Sequence, residues 1–451
     1  MAPPVPPTPA TPRRRPLPPH VTASGAHPPP FALPGGHFAA AIAWLLLGSA
    51  GLVAVAPTLA QGNTFDPRVF AVTHAFTLGV VTTSIFGALY QFFPVTLGAA
   101  AKSVRVGMAG LWTLVAGTAL IVLGFWTWTA WLQAAGWCVL FAAVGVVSWN
   151  LLPQRRRATQ GHVIGRYVSA GHAAFGFAML LAAARIGETA GWWTVDRLGM
   201  IAAHLHLAAF GFAGLTAVGV GSRMLPMFLS SGAPLEWPLR WIGPVAGAGL
   251  VLFGVGQPLH VAPLSAAGAA LLFAAGALYL VLVWSYFRTR AAPRLDHGLL
   301  HIATSFGFLA LTLLVGAALA TSLVPSIPRW WAAYTLLGVG GWLTLFILGV
   351  LYRILPFLSW LHLFGPRATA AGRPPMPVQS LSRPAWARLS LALLAPGIAL
   401  LAFAVGFGRV PLARAGAGLL FLGVLVQLAH WLRLVVLYQR LDIHAPTREA
   451  A

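Results

Sequence analysis

The sequence predicts an all-α polytopic membrane protein of about twelve transmembrane helices, arranged as three pseudo-symmetric four-helix units. Three observations carry this. The 451-residue chain is 58% hydrophobic and only 8% charged, far from the balance of a soluble domain. It contains many apolar runs of about 20 residues, the length needed to cross roughly 30 Å of hydrocarbon. Within those runs one pattern occurs three times.

The first copy of the pattern starts at Thr73-His74-Ala75-Phe76-Thr77-Leu78-Gly79 and continues through Gly87 to Tyr90-Gln91-Phe92-Phe93-Pro94. The second has His206, Gly211, Gly219, Ser222-Arg223-Met224-Leu225 and Pro226, and the third Gly341, Gly349, Tyr352-Arg353-Ile354-Leu355 and Pro356. In each copy the glycines stand 15 and 7 residues before the proline, and the prolines are 132 and then 130 residues apart. Histidine stands 20 residues before the first two prolines, where the third copy has Leu336. A period near 130 residues is too long for a solenoid repeat and matches about four membrane helices with short loops.

Residues 1–34 are rich in proline, carry Arg13-Arg14-Arg15 and lack a signal-peptide core, which predicts a disordered cytoplasmic tail. A membrane domain over 35–440 follows, with spans expected at 37–60, 70–98, 106–126, 129–152, 162–186, 197–229, 239–258, 262–286, 298–324, 330–360, 386–407 and 411–438, and a short cytoplasmic tail over 441–451. Only six of the 28 basic residues, Arg68, Arg185, Arg197, Arg329, Arg409 and Arg414, fall on the side opposite the termini. The positive-inside rule therefore places both termini in the cytoplasm.

The net charge of +21 then follows from topology, and nucleic acid is excluded as a partner because the arginines are scattered through short loops and not gathered on one face. Arg223 and Arg353, three residues before their prolines, are expected to reach toward headgroups. Tryptophans such as Trp126, Trp131, Trp192, Trp193 and Trp330 fit interfacial belts against the lipid bilayer. Cys138 is the single cysteine, which rules out disulfides and cysteine clusters as organising devices. All seven acidic residues map to loops or span ends, so a proton route inside the membrane would need water, hydroxyls or histidine.

Histidine is the remaining intramembrane chemistry. His74, His204 and His206 map to the outer halves of their spans, His172 near mid-membrane, and His301 and His430 toward the cytoplasm. Neutral imidazole suits haem iron, copper or zinc, and each of these side chains has the alternative of a hydrogen bond inside a packed bundle. His74 and His206 lead as ligand candidates through their shared repeat position, with His172 and His204 next. His204 and His206, two residues apart, point about 200° apart around a helix and cannot both enter one site. For the others, His37 among them, solvent exposure at a span end or in a tail suffices.

The run around His74, with Phe86-Gly87-Ala88-Leu89-Tyr90-Gln91-Phe92-Phe93-Pro94-Val95, resembles the second helix of subunit I in the haem-copper oxidase superfamily, closest to the cbb-type oxidase and nitric oxide reductase branches. The resemblance implies a twelve-helix fold of three four-helix arcs and assigns low-spin haem ligation to His74. It is short, and the chain departs from the family elsewhere. No histidine lies between Trp330 and Trp360, where the family takes further haem ligands, and residues 239–258 lack the histidine pair of its copper centre. The chain is also similar to NnrS-like haem- and copper-containing membrane proteins of the nitric oxide response.

These readings combine into an expectation: a b-type haem protein of the bacterial inner membrane, with His74 as axial ligand and His206, His172 or His204 as second ligand or neighbouring metal ligand, copper included. Its role would lie in electron transfer, a response to dioxygen or nitric oxide, or respiratory assembly, with cytochrome c-type or other respiratory subunits as partners. The alternatives are a histidine-lined transporter or metal-handling protein, and a cofactor-free scaffold. The ligand losses argue against dioxygen or nitric oxide reduction by the family mechanism.

Overall fold

The computed structural model describes residues 29–97, 101–153, 162–232, 235–291, 293–366 and 377–443. Within them run twelve helices long and apolar enough to cross a membrane: α1 (Ala32–Ala60), α2 (Pro67–Pro94), α3 (Val104–Trp126), α4 (Ala130–Leu151), α5 (His162–Thr189), α6 (Arg197–Leu229), α7 (Trp237–Gly256), α8 (Ala262–Arg288), α9 (His297–Ala320), α10 (Pro328–Phe364), α11 (Pro384–Gly406) and α12 (Val410–Gln439). Number and order match the expectation from the sequence. The protein is therefore an all-α polytopic membrane protein.

The differences lie at the two ends. Helix α1 starts at Ala32 because Pro34 falls in its first turn, where a missing N–H costs no hydrogen bond. At the other end the α12 helix continues to Ile443. Residues 1–28 and 444–451, which hold most of both expected tails, lie outside the described residues. With an even number of spans, both described ends of the chain lie at one end of the bundle, called here the terminal end; the other is the far end.

Three acids that the sequence left without a task cap helices. Asp66, Asp196 and Asp296 accept hydrogen bonds from Arg68 N, Gly199 N and Leu299 N, satisfying orphan donors of α2, α6 and α9. Asp66 also accepts from the Arg68 side chain, which holds its carboxyl below the usual range. Arg353 does more than reach for headgroups: it pairs with Asp296 and lies over the Phe228 ring at 4.8 Å.

Packing follows the repeat. The helices α1 and α2, α5 and α6, and α9 and α10 pack as pairs, as do α3 and α4, α7 and α8, and α11 and α12. Contacts of α4 with α5, α8 with α9, and α12 with α1 close the three units into a ring, and α2, α6 and α10 meet one another at its centre. The repeated glycines are the approach points. A Cβ on Gly79 would lie 2.4 Å from Trp44, on Gly211 2.6 Å from Ala174, and on Gly341 2.5 Å from Phe308, so each central helix touches the first helix of its own unit there.

A second glycine ladder joins the outer pairs. Gly117, Gly249 and Gly397 face the backbone N of Leu140, Leu272 and Leu420, always 23 residues on. Gly136, Gly268 and Gly416 face the backbone N of Ile121, Phe253 and Leu401, always 15 residues back. The threefold repeat thus extends through all twelve helices, well beyond the motif that first disclosed it.

Candidate functional site

The site begins at the far end, on the second turn of α2. Asp66 and Pro67 start the helix. One turn after Phe70, the His74 Nδ1 lies 2.8 Å from the Phe70 carbonyl. A carbonyl can only accept, so Nδ1 carries the proton and Nε2 presents a lone pair. The His74 ring stacks on Phe125 from the end of α3, with centroids 5.0 Å apart, which fixes its plane.

His204 meets it from α6. Its Nδ1 lies 2.8 Å from the Ala178 carbonyl on α5, a bond between helices that again leaves Nε2 with the lone pair. The His74 and His204 centroids are 6.3 Å apart, with ring planes 39° apart. Neither Nε2 has a hydrogen-bond partner among the described residues, and both rings are half-buried. The two rings are close enough that His74 and His204 would be the residues to hold a shared haem iron or metal ion.

His206 points elsewhere, as the helical angle requires. Its Nδ1 lies 2.8 Å from the Ala202 carbonyl, and its Nε2 accepts from the Tyr334 hydroxyl on α10 at 3.1 Å. The ring rests on Phe253 with centroids 4.4 Å apart. Its lone pair is thus already used, and repeat equivalence to His74 does not bring equivalent surroundings.

His172 on α5 is buried between Phe86 and Phe212, each centroid 5.8 Å away, with Nδ1 bonded to the Val168 carbonyl at 2.8 Å. Its Nε2 has no partner among the described residues. Aromatic faces enclose it, and no ring contact joins it to His74, His204 or His206 among them. The four sequence candidates therefore divide into one neighbouring pair and two separate side chains.

Immediately after His74 and His206 the helices widen. Ala75–Thr82 in α2, Leu207–Gly214 in α6 and Leu336–Thr344 in α10 are π-helical. Hydroxyls fill the wide turns: Thr82, Thr83 and Thr344 donate to the carbonyls five residues back, Thr77, Leu78 and Val339. π segments cluster at functional sites. Here the third copy has the π turn and no histidine, so the turn belongs to the repeat architecture. No periodicity in the apolar sequence announced it.

His37 corrects the expectation of solvent exposure. It lies in the second turn of α1, is fully buried, and bonds the Leu33 carbonyl through Nδ1 at 2.8 Å. The position read as a span edge is inside the bundle because α1 begins earlier than its apolar run.

Among the described residues no group of three or more His, Cys, Asp or Glu is placed to hold a metal ion. The two-imidazole arrangement of His74 and His204 suits a haem, whose iron needs only axial ligands from the protein, better than a multi-ligand copper or zinc centre. By its helices the chain belongs to the class of multi-pass membrane proteins. No protein-family model and no curated protein sequence matches it.

Proposed function

We propose that the protein is a b-type haem-binding protein of the bacterial inner membrane, with both termini cytoplasmic and with His74 and His204 as the axial pair. The observation that carries this is the proximity of two imidazoles, 6.3 Å apart at their centres, whose Nδ1 protons are held by carbonyls and whose Nε2 lone pairs have no hydrogen-bond partner among the described residues. Carbonyl bonds to the second ring nitrogen orient and strengthen such ligands. When bound, the haem supplies one-electron chemistry.

Held by both His74 and His204, a haem would supply electron transfer to or from a respiratory partner in preference to direct capture of dioxygen or nitric oxide. The protein's own residues set the ring planes through Phe125 and the Ala178 carbonyl. The resemblance to subunit I of the haem-copper oxidases supports His74, and the 6.3 Å separation of the His204 ring from it supports His204 over His206 or His172 for the second position.

The test is a reduced-minus-oxidised spectrum with a pyridine haemochrome assay and metal analysis on one haem-replete sample. One b-haem per chain is expected, lost or weakened in both His74→Ala and His204→Ala, with the His206→Ala signal retained. Carbon monoxide should leave the wild-type spectrum unchanged and shift that of any haem retained by His204→Ala. Folded protein without haem would overturn the reading. The same pair also suits a two-coordinate copper(I) ion, and copper found without haem would favour metal handling instead.

A further inference from the structure

The largest concentration of unpartnered buried polar atoms lies at the terminal end of the third unit, where α9, α10, α11 and α12 meet. Tyr352 is at its centre and is 2% exposed. Its hydroxyl donates to Gln427 Oε1 at 3.0 Å, and the Ser390 hydroxyl lies 2.8 Å from the same oxygen. Three histidine rings surround it: His301 at 4.8 Å between centroids, and His297 and His430 at 5.2 Å each.

His301 Nε2, Gln427 Nε2, both ring nitrogens of His430 and Trp431 Nε1 have no hydrogen-bond partner among the described residues. His301, Gln427 and His430 are 0% exposed and Trp431 5%. Leaving five such groups dry would cost more than a marginally stable fold can bear.

The repeat shows that this cluster is built from recurring positions. Tyr90 and Tyr352 each stand four residues before their repeat proline, and Asn150 and His430 each stand fourteen residues after an equivalent glycine, Gly136 or Gly416. In the first unit His37 lies 5.4 Å from Tyr90, nearly as His301 lies from Tyr352. There Asn150 closes the cluster by donating to the Tyr90 hydroxyl and the Ser103 carbonyl while accepting from Ser103 N. Of the His37, Tyr90, Ser103 and Asn150 side chains, only His37 Nε2 is left over among the described residues. In the third unit the His430 ring replaces that amide and closes nothing.

We infer that the third unit holds an internal water site beside Tyr352, approached from the terminal end past His297. The donor and acceptor inventory selects water over an ion. Gln427 Nε2 and Trp431 Nε1 only donate; His301 Nε2 accepts, because its Nδ1 proton goes to the His297 carbonyl; neutral His430 offers one of each. An anion would leave the His301 lone pair unmet, and a metal ion would face N–H donors. Water matches both, and because the two His430 nitrogens lie on opposite sides of their ring the five atoms provide donors and acceptors for more than one molecule.

His297 is half-buried at the start of α9, next to the surface ion pair of Asp296 and Arg353. The site lies at the opposite end of the bundle from His74 and His204. It is independent of the haem reading.

Hydroxyl-radical footprinting by a short X-ray pulse tests it on the full purified chain, since radicals form from water bound beside a side chain. Tyr279 is the control. It is 3% exposed, and its hydroxyl lies 3.3 Å from the Ala217 carbonyl. The water site predicts oxidation of Tyr352 and Trp431 several-fold faster than of Tyr279. It also predicts that Gln427→Leu with His430→Leu brings Tyr352 down to the control rate while Tyr279 stays slow, a check that the variant is folded. Wild-type Tyr352 and Trp431 reacting no faster than Tyr279 would overturn the inference without any variant.

Discussion

At the scale of single residues, the side chains with chemistry and those with packing roles separate by what touches them. His204 and His206 are two positions apart, and the helical angle alone shows that they diverge. What no local pattern discloses is that the Ala178 carbonyl on another helix turns His204 toward His74. The glycines are more legible, because a residue without a Cβ at a repeated position in an apolar helix points to close approach. Gly79→Ala would put its Cβ 2.4 Å from Trp44, whereas Gly145→Ala would meet nothing within 4 Å. Overpacking of this kind costs about 1–3 kcal/mol. Thermal unfolding in detergent should therefore show a lowered midpoint for Gly79→Ala and an unchanged one for Gly145→Ala; equal midpoints would remove the packing role of the repeated glycine.

At the scale of elements, the π turns decide where the histidines face. One residue more or less rotates the following helix by about 100°. The widened turn over Ala75–Thr82 thus sets the face carrying His74 against the face carrying Gly87 and Tyr90. The sequence offers no sign of it, since apolar helices facing lipid and neighbours on all sides carry little periodicity to interrupt. Deleting Val80 should convert the turn to α-helix and turn His74 away from His204, abolishing the haem signal in a chain that still reaches the membrane. A deletion of Val339 within the π segment of α10, where the repeat has Leu336 and no histidine, should lower the melting temperature and spare any haem signal. Loss of haem in both would mean that the turns serve general packing only.

At the scale of the whole molecule, the three units surround a pseudo-threefold axis. A cavity of about 60 Å³ marks it, lined by equivalent residues of the central helices: Val81, Ala213 and Leu343, then Ser84, Thr216 and Phe346. Span count, order and threefold arrangement were legible because hydropathy and a 130-residue period survive any exchange of apolar side chains. The buried His37 and the water site beside Tyr352 were not, since both depend on which helices meet at the terminal end.

Orientation in the membrane is the remaining property of the whole chain, and the charge distribution predicts it. The far-end connections around 61–66, 190–196 and 321–327 hold few basic residues, whereas Arg288, Arg290 and Arg294 stand together in one terminal-end connection. Retention of positive loops on the cytoplasmic side sets topology during insertion. Alkaline phosphatase fused after Gly62 or Ser322 should therefore be active in the periplasm, and fused after Arg290 inactive, with a fluorescent protein giving the reverse. Activity after Arg290 would invert the bundle, placing His74 and His204 near the cytoplasm and the Tyr352 site near the periplasm.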